Sequence, residues 1–388
     1  MTIQMHAIKN RTRQDDIQFV RAQDFELTYE QSVSEDVLID NPNISLYCLD
    51  PDKQHMLFVE IPSEVDLSQV TFHYQGQYQY AQKVYTVPYE TFHRLATRID
   101  TDASKLILLY SAPRCGSTLL TNVLNHPDCV TGYSEPDIFT QLFILYKKGY
   151  FTDDEMAQLV KNSIAFLMKP THLGYPDFYM LKFRSYGLEL GKWIDDAYPE
   201  AKSVFIYRNS ENSVKSGIRA FAPDHHDEIA YLVDSQVYNY YLNAIDEQND
   251  MAVRIGRNLL TWLSPLTAYL DRHQHGHQFC ALRYEEMVAE PIDMIGQLFA
   301  YCGLPAETVA PACSVFNNDS QAGSSLSRQA VAKVGVVLPD EAKLKRTLQS
   351  ILDQHPQVQS PAYILPDTIT PRHYIQFDKE ALLDIALG

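Results

Sequence analysis

The chain has 388 residues, 45% hydrophobic and 21% charged, an ordinary globular composition with enough apolar mass for one large or two modest domains. A formal net charge of −17 argues against nucleic-acid binding through a basic face, because phosphate backbones are gripped by Lys and Arg, and it favours a cationic or neutral partner. No apolar run approaches the ~18 residues of a membrane span, and Met1 to Arg13 lacks the apolar centre of a signal peptide, so a soluble cytoplasmic protein is expected.

Residues 1–100 read as a β-rich extension. Ile44 to Leu49 and Met56 to Ile61 flank an Asp-Pro-Asp-Lys turn, the pattern of a hairpin, and the alternation of Val70 to Tyr80 predicts a further strand. This segment is expected to be a structural appendage or a wall of an acceptor site.

From about residue 101 to 355, strand and helix patterns alternate, which predicts a central parallel sheet flanked by helices. The strand Leu106 to Tyr110 ends in a Ser-Ala-Pro-Arg-Cys-Gly-Ser-Thr turn, after which Leu119, Leu120, Val123 and Leu124 recur at helical spacing. A short strand, Cys129 to Tyr133, follows. Thr152 to Glu155 is a capping box opening a helix through Met168. Strands are expected over Tyr179 to Phe183, Lys202 to Tyr207 and Phe279 to Arg283. Helices are expected over Leu188 to Ala197, Glu211 to Ala220, Glu228 to Ala244, Met251 to Arg272, Glu285 to Tyr301 and Asp340 to Gln354. From Pro356 four prolines predict an extended, surface-draped tail, 356–388.

The junction at Ser111 to Thr118 is the chemically informative turn. A strand-loop-helix step aims several backbone N–H groups and the positive end of the helix dipole at one spot, a natural anion cradle. Laid over the nucleotide-hydrolysing loop G-x-x-x-x-G-K-[ST], Ser117 stands where the Lys should be. Without that Lys the loop suits a single 5′-phosphate held by amides, by the hydroxyls of Ser117 and Thr118, and by Arg114, better than a magnesium triphosphate.

Pro113-Arg-Cys-Gly-Ser-Thr118 resembles the 5′-phosphosulfate loop, P-x-x-G-[ST]-[ST], of the sulfotransferases that use 3′-phosphoadenosine 5′-phosphosulfate (PAPS). A second signature of that family, an Arg after a later strand with a Ser eight residues on, is matched by Arg208 and Ser216. Leu282-Arg-Tyr284-Glu-Glu is similar to its segment after a core strand, and Ser320 to Arg328, with Ser324 and Ser325, to its closing loop. The resemblance covers about Lys105 to Arg328. It implies a P-loop-like sulfotransferase fold, with Arg114, Cys115, Gly116, Ser117 and Thr118 at the 5′ end of the donor. It further implies Arg208 and Ser216 on the 3′-phosphate, Tyr284 at the adenine, and Ser324 and Ser325 over the phosphates. The layout is also similar to bacterial small-molecule sulfotransferases of secondary metabolism, including those acting on guanidinium alkaloids of the saxitoxin type. The reaction implied is sulfuryl transfer from PAPS to a hydroxyl or amine of a small polar acceptor, leaving adenosine 3′,5′-bisphosphate (PAP), with no metal required.

Such transfer needs the acceptor's proton removed and charge on the transferring oxygens stabilised. Glu135, after the short strand, is the expected base, as in sulfotransferase branches with a carboxylate soon after the first helix, and Arg114 the expected stabilising cation. Against this, Glu135 could merely answer a helix dipole. His172, in Lys169-Pro-Thr-His-Leu173, is the rival base, but Leu181-Lys182-Phe183-Arg184 better fits the place where the family keeps its strand Lys. Cys115 at a helix start invites a nucleophilic reading that no Cys-His-Asn spacing supports. The six cysteines show no C-x-x-C pairing, so reduced thiols rather than a zinc cage or disulfide framework are expected, and His273, His275 and His277 read as a linker before a metal site. Two other readings stay open: an ATP-dependent small-molecule kinase with a degenerate loop, and a non-catalytic nucleotide-binding scaffold.

Overall fold

The computed structural model describes residues 2–13, 18–171, 174–221, 233–321, 327, 329 and 336–372. Two five-stranded sheets organise it. The first is antiparallel, in the order β2-β1-β5-β4-β3, from β1 (Thr2–Arg11), β2 (Phe25–Ser34), β3 (Ile44–Asp50), β4 (His55–Glu60) and β5 (Lys83–Pro88). The hairpin read from the sequence is β3-β4. The expected strand over Val70 to Tyr80 is instead the helix His73–Tyr80. Its alternation misleads because burial decides the conformation: His73, Tyr74 and Gln77 share one helical face. Gln77 Nε2 donates to Leu46 O of β3 at 2.8 Å, a fixed partner that a strand would not reach.

The second sheet is wholly parallel, in the order β10-β9-β6-β8-β7, from β6 (Leu106–Ser111), β7 (Val130–Ser134), β8 (Phe178–Lys182), β9 (Lys202–Tyr207) and β10 (Cys280–Arg283). This is the α/β architecture expected from the alternating pattern. Every residue of β6 is buried, as a central parallel strand covered on both faces requires. Its period of two divides the core. Leu106, Leu108 and Tyr110 join a cluster that includes Met5, Leu46 and Phe58 of the first sheet, whereas Ile107 and Leu109 pack with Leu120, Val123 and Leu298 on the other face. The N-terminal sheet therefore shares its core with the parallel one.

Helix boundaries depart from expectation where the backbone has a local reason. The single helix over Glu285 to Tyr301 is two, Tyr284–Ala289 and Pro291–Cys302, because Pro291 cannot donate into the preceding turn and Glu290 sits at φ −131°. The second ends at Gly303, left-handed at φ 74°. Leu188 to Ala197 begins as 3₁₀ over Ser185–Leu190 and becomes α only at Gly191–Ala197. The capping box at Thr152 forms in both directions. The tail buries Val358 and Leu365 and runs beside β10, where Ala281 N–H donates to Asp367 O at 3.2 Å and Ile369 N–H to Ala281 O at 2.9 Å.

His73, fully buried beside the Tyr133 ring, is held neutral, its pKa lowered by burial to about 3. The unfolded chain, with an ordinary imidazole, takes up the proton first as pH falls below about 6.5. Stability is therefore lost on acidification, at up to about 1.4 kcal/mol per pH unit from this group. Thermal unfolding between pH 6.5 and 4 should show a shallower pH slope for His73→Gln than for the parent.

Candidate active site

The parallel sheet's chain path turns to opposite sides after β6 and β8, and the crevice at the strands' carboxyl ends is where ligands sit in such folds. Predicted residues emerge there from four strands: Arg114 after β6, Glu135 after β7, Arg208 after β9 and Tyr284 after β10. The loop after β6 is held in an unusual shape: Arg114 has φ 55° and Gly116 φ 85°, followed directly by the helix Ser117–Leu124. A left-handed Arg is strained, typically by ~1–3 kcal/mol, and persists only where its surroundings fix it. Those surroundings are the helix Ser210–Ala220 after β9. Arg114 Nε donates to Ser216 Oγ at 3.1 Å, and Ser213 Oγ donates to Pro113 O at 2.7 Å. The two stretches singled out in the sequence, 102 residues apart at this contact, thus meet in space. Burial lowers the Arg114 pKa, and the nearby Arg208 charge presses the same way.

Arg208, just past the end of β9, lies with its guanidinium 4.6 Å from the centre of the Tyr284 ring. The other neighbour of that ring is Gly116, where a Cβ would come within 2.5 Å of it. Tyr284 thus ties the first loop to the Arg208 loop, and only glycine fits beneath it. Among the described residues Arg208 Nε is buried without a hydrogen-bond acceptor, its nearest anion being Glu285 Oε1 at 3.8 Å. A buried, unspent guanidinium N–H beside a loop of helix-start amides is a donor set suited to phosphate. Thr118 is reached by Gln321 Nε2 at 3.4 Å. Ser324, Ser325 and Arg328 lie outside the described residues, as does His172.

Glu135 follows β7 at φ 58°, the second strained non-glycine residue of this region. Its N–H donates to Lys182 O at 2.7 Å, and its Oε1 accepts from Lys182 Nζ. Lys182, 2% exposed, is thus a buried ion-pair partner of the candidate base. Arg184 Nε stands 3.7 Å from Glu135 Oε2 and 2.8 Å from Asp137 Oδ1. Burial works against the Arg184 charge, but Asp137, Tyr74 and Glu135 more than offset it and hold the guanidinium above its ordinary range. Burial pushes the Asp137 carboxyl up, with Arg184 pulling against it.

Sequence reasoning gave no role to Arg184 and Asp137, or to their backing from the N-terminal segment. Val20 N–H donates to Asp137 Oδ2 at 2.9 Å, the Tyr74 and Phe19 rings lie 4.3 and 5.0 Å from Arg184, and the Phe72 ring lies 5.6 Å from Lys182 Nζ. Part of this was readable. Lys-Phe-Arg at 182–184 and Glu-Pro-Asp at 135–137 are matching every-other-residue charges at the ends of neighbouring strands. The aromatic backing carries no such signal.

Cys115 is fully buried, donates to Ile206 O at 3.2 Å, and burial pushes its thiol up to about 12, the opposite of an activated nucleophile. The histidines at 273–277 diverge: His273 faces Asp367 at 3.3 Å and His277 faces Asp195 at 3.0 Å. Among the described residues no group of three or more His, Cys, Asp or Glu side chains gathers as metal ligands would, and no helix is long and apolar enough to cross a membrane.

With this geometry in place, the comparisons with known proteins define the class. Residues 107–308, just over half of the 388-residue chain, match the model of the sulfotransferase family, and the chain belongs to that family. No curated protein matches its sequence. Similar solved structures include the sulfotransferase domain from the curacin biosynthetic pathway, at 15% identity over 64% of this chain and 96% of that one, TM-score 0.36. A sulfotransferase from Mycobacterium avium matches at 13% identity over 68% and 81%, TM-score 0.36. A retinol dehydratase in complex with androsterone and the inactive cofactor PAP matches at 12% identity over 84% and 98%, TM-score 0.38.

Proposed function

We propose that this sulfotransferase takes its sulfuryl group from PAPS and passes it to a hydroxyl or amine of a small polar acceptor. The observation that carries the reading is the meeting of the two phosphate-binding stretches, Arg114 against Ser216, with Arg208 unspent beside them. The amides of the 114–118 loop and the hydroxyls of Ser117 and Thr118 hold the 5′-phosphosulfate. Arg208 and Ser216 hold the 3′-phosphate, Ser216 turning from Arg114 to the donor, and Tyr284 fixes the two loops beneath the adenosine.

In the reaction the acceptor's oxygen or nitrogen bonds to sulfur as the bond from sulfur to the bridging phosphate oxygen breaks. The acceptor's proton goes to Glu135, and the leaving electron pair stays on PAP. Arg114 and Lys182, both of which act electrostatically on Glu135, offset the charge that develops on the transferring oxygens in this reading. The whole-chain charge of −17 favours a cationic acceptor, and a guanidinium alkaloid of bacterial secondary metabolism is the narrowest class that the sequence resemblance implies. A cytoplasmic setting fits six free thiols.

The test is a thermal-shift titration with PAP. The parent should be stabilised in a saturable way, and Arg208→Ala should lose most of that shift while unfolding cooperatively. Equal shifts for both proteins would contradict the assignment of Arg208.

A further inference from the structure

A cavity of about 290 Å³ lies away from the phosphate loops, between the two sheets. Its walls come from β3, the edge of the antiparallel sheet, and β7, the edge of the parallel one, closed by the 61–68 segment and the chain after the helix Asp153–Leu167. Its wall is mixed: Ile44, Ile61, Leu67 and Phe166 give an apolar stretch beside the hydroxyl-bearing Ser45, Ser63, Ser68 and Thr131. Two charged residues line it, Asp66 at the exposed rim and Lys169, only 7% exposed, in the wall.

Lys169 Nζ donates to Leu38 O at 2.9 Å and to Asn41 O at 2.6 Å. An ammonium has three N–H groups, so among the described residues one is left over. Among the described residues no carboxylate lies within ion-pair distance of it; Asp40 acts only from farther away. Burial accordingly lowers its pKa to about 7. The two carbonyls explain why the side chain is anchored, but a buried cation without a counter-charge is costly, and an anion in the adjoining cavity would relieve that cost. Asp66, on the exposed rim, disfavours a ligand with a second negative charge. The volume, at the low end for ligand pockets, limits the size.

We propose that this cavity is a second small-molecule site, distinct from the donor cradle, which takes an amphipathic monocarboxylate. The carboxylate meets Lys169, and the apolar body lies along Ile44, Ile61, Leu67 and Phe166.

Octanoate is the probe, titrated calorimetrically into the full chain with octanol as its neutral counterpart. Saturable octanoate binding is expected, with octanol about ten- to hundred-fold weaker, the factor a charge-assisted hydrogen bond supplies. Lys169→Met should weaken octanoate by a similar factor and leave octanol unchanged. Val65→Trp, which fills the cavity from the 61–68 segment, should abolish both, with cooperative thermal unfolding showing that each variant is folded. No saturable octanoate binding, equal affinity for octanoate and octanol, full affinity in Lys169→Met, or displacement of octanoate by PAP would each overturn the proposal.

Discussion

Replacing Glu135 by Gln is expected to lower sulfuryl transfer by about 10²–10⁴ in rate, the usual worth of a general base, while PAP binding stays near that of the parent. The carboxylate follows β7 and pairs with Lys182 and Arg184, and it is none of the groups assigned to the donor's phosphates. Gln keeps an acceptor for Lys182 Nζ and tolerates the same backbone, so the fold should survive even though the buried lysine loses its counter-charge. Single-turnover measurement with saturating PAPS separates the outcomes. A folded Glu135→Gln enzyme with undiminished rate would reduce Glu135 to an ion-pair partner and move the base elsewhere. Lys182→Met should also slow the reaction, but for loss of charge stabilisation, so its rate should not be restored by more alkaline buffer.

The second large effect is expected at Gly116. Alanine there meets two obstacles: a φ of 85°, and Tyr284 ring carbons at 2.5 and 2.6 Å from the new Cβ. The first typically costs ~1–3 kcal/mol, and the second forces Tyr284 or the loop to move. Since Tyr284 also stacks on Arg208, that movement disturbs both phosphate-binding stretches at once. Gly116→Ala should weaken PAP by about 100-fold or more, taking charge-assisted phosphate contacts at a few kcal/mol. Adding Tyr284→Ala removes the overlap but not the strained φ, so the double variant should regain stability and not binding. Recovery of PAP affinity in the double variant would show that the clash alone mattered and that Tyr284 is dispensable.

Much of the parallel sheet was legible because its strands are short apolar runs bounded by turn residues, and β6 is buried on both faces. The shape of the loop after β6 was legible for a related reason: a strand end, a glycine at positive φ and a helix start follow one another in consecutive residues. The N-terminal sheet was only half visible. β2 shows little apolar alternation because it is exposed along most of its length, and the helix His73–Tyr80 is set by what Gln77 and Tyr74 touch rather than by its own pattern. The charged network around Glu135 was readable in its strand-end charges and hidden in its backing for the same reason. Asp137 depends on Val20, and Arg184 on Phe19 and Tyr74, partners supplied by a segment more than 50 residues away in sequence. Arg208 shows the converse: its place past β9 was readable, but its stacking on Tyr284 and its proximity to Glu285 depend on a loop about seventy residues later.

The most direct test of the central claim compares three nucleotides by calorimetry on the purified chain: PAP, adenosine 5′-monophosphate, and ATP with magnesium. The account predicts saturable PAP binding that is indifferent to magnesium and far tighter than that of the monophosphate, because the 3′-phosphate engages Arg208 and Ser216. Preference for magnesium ATP, or equal affinity for PAP and the monophosphate, would contradict it.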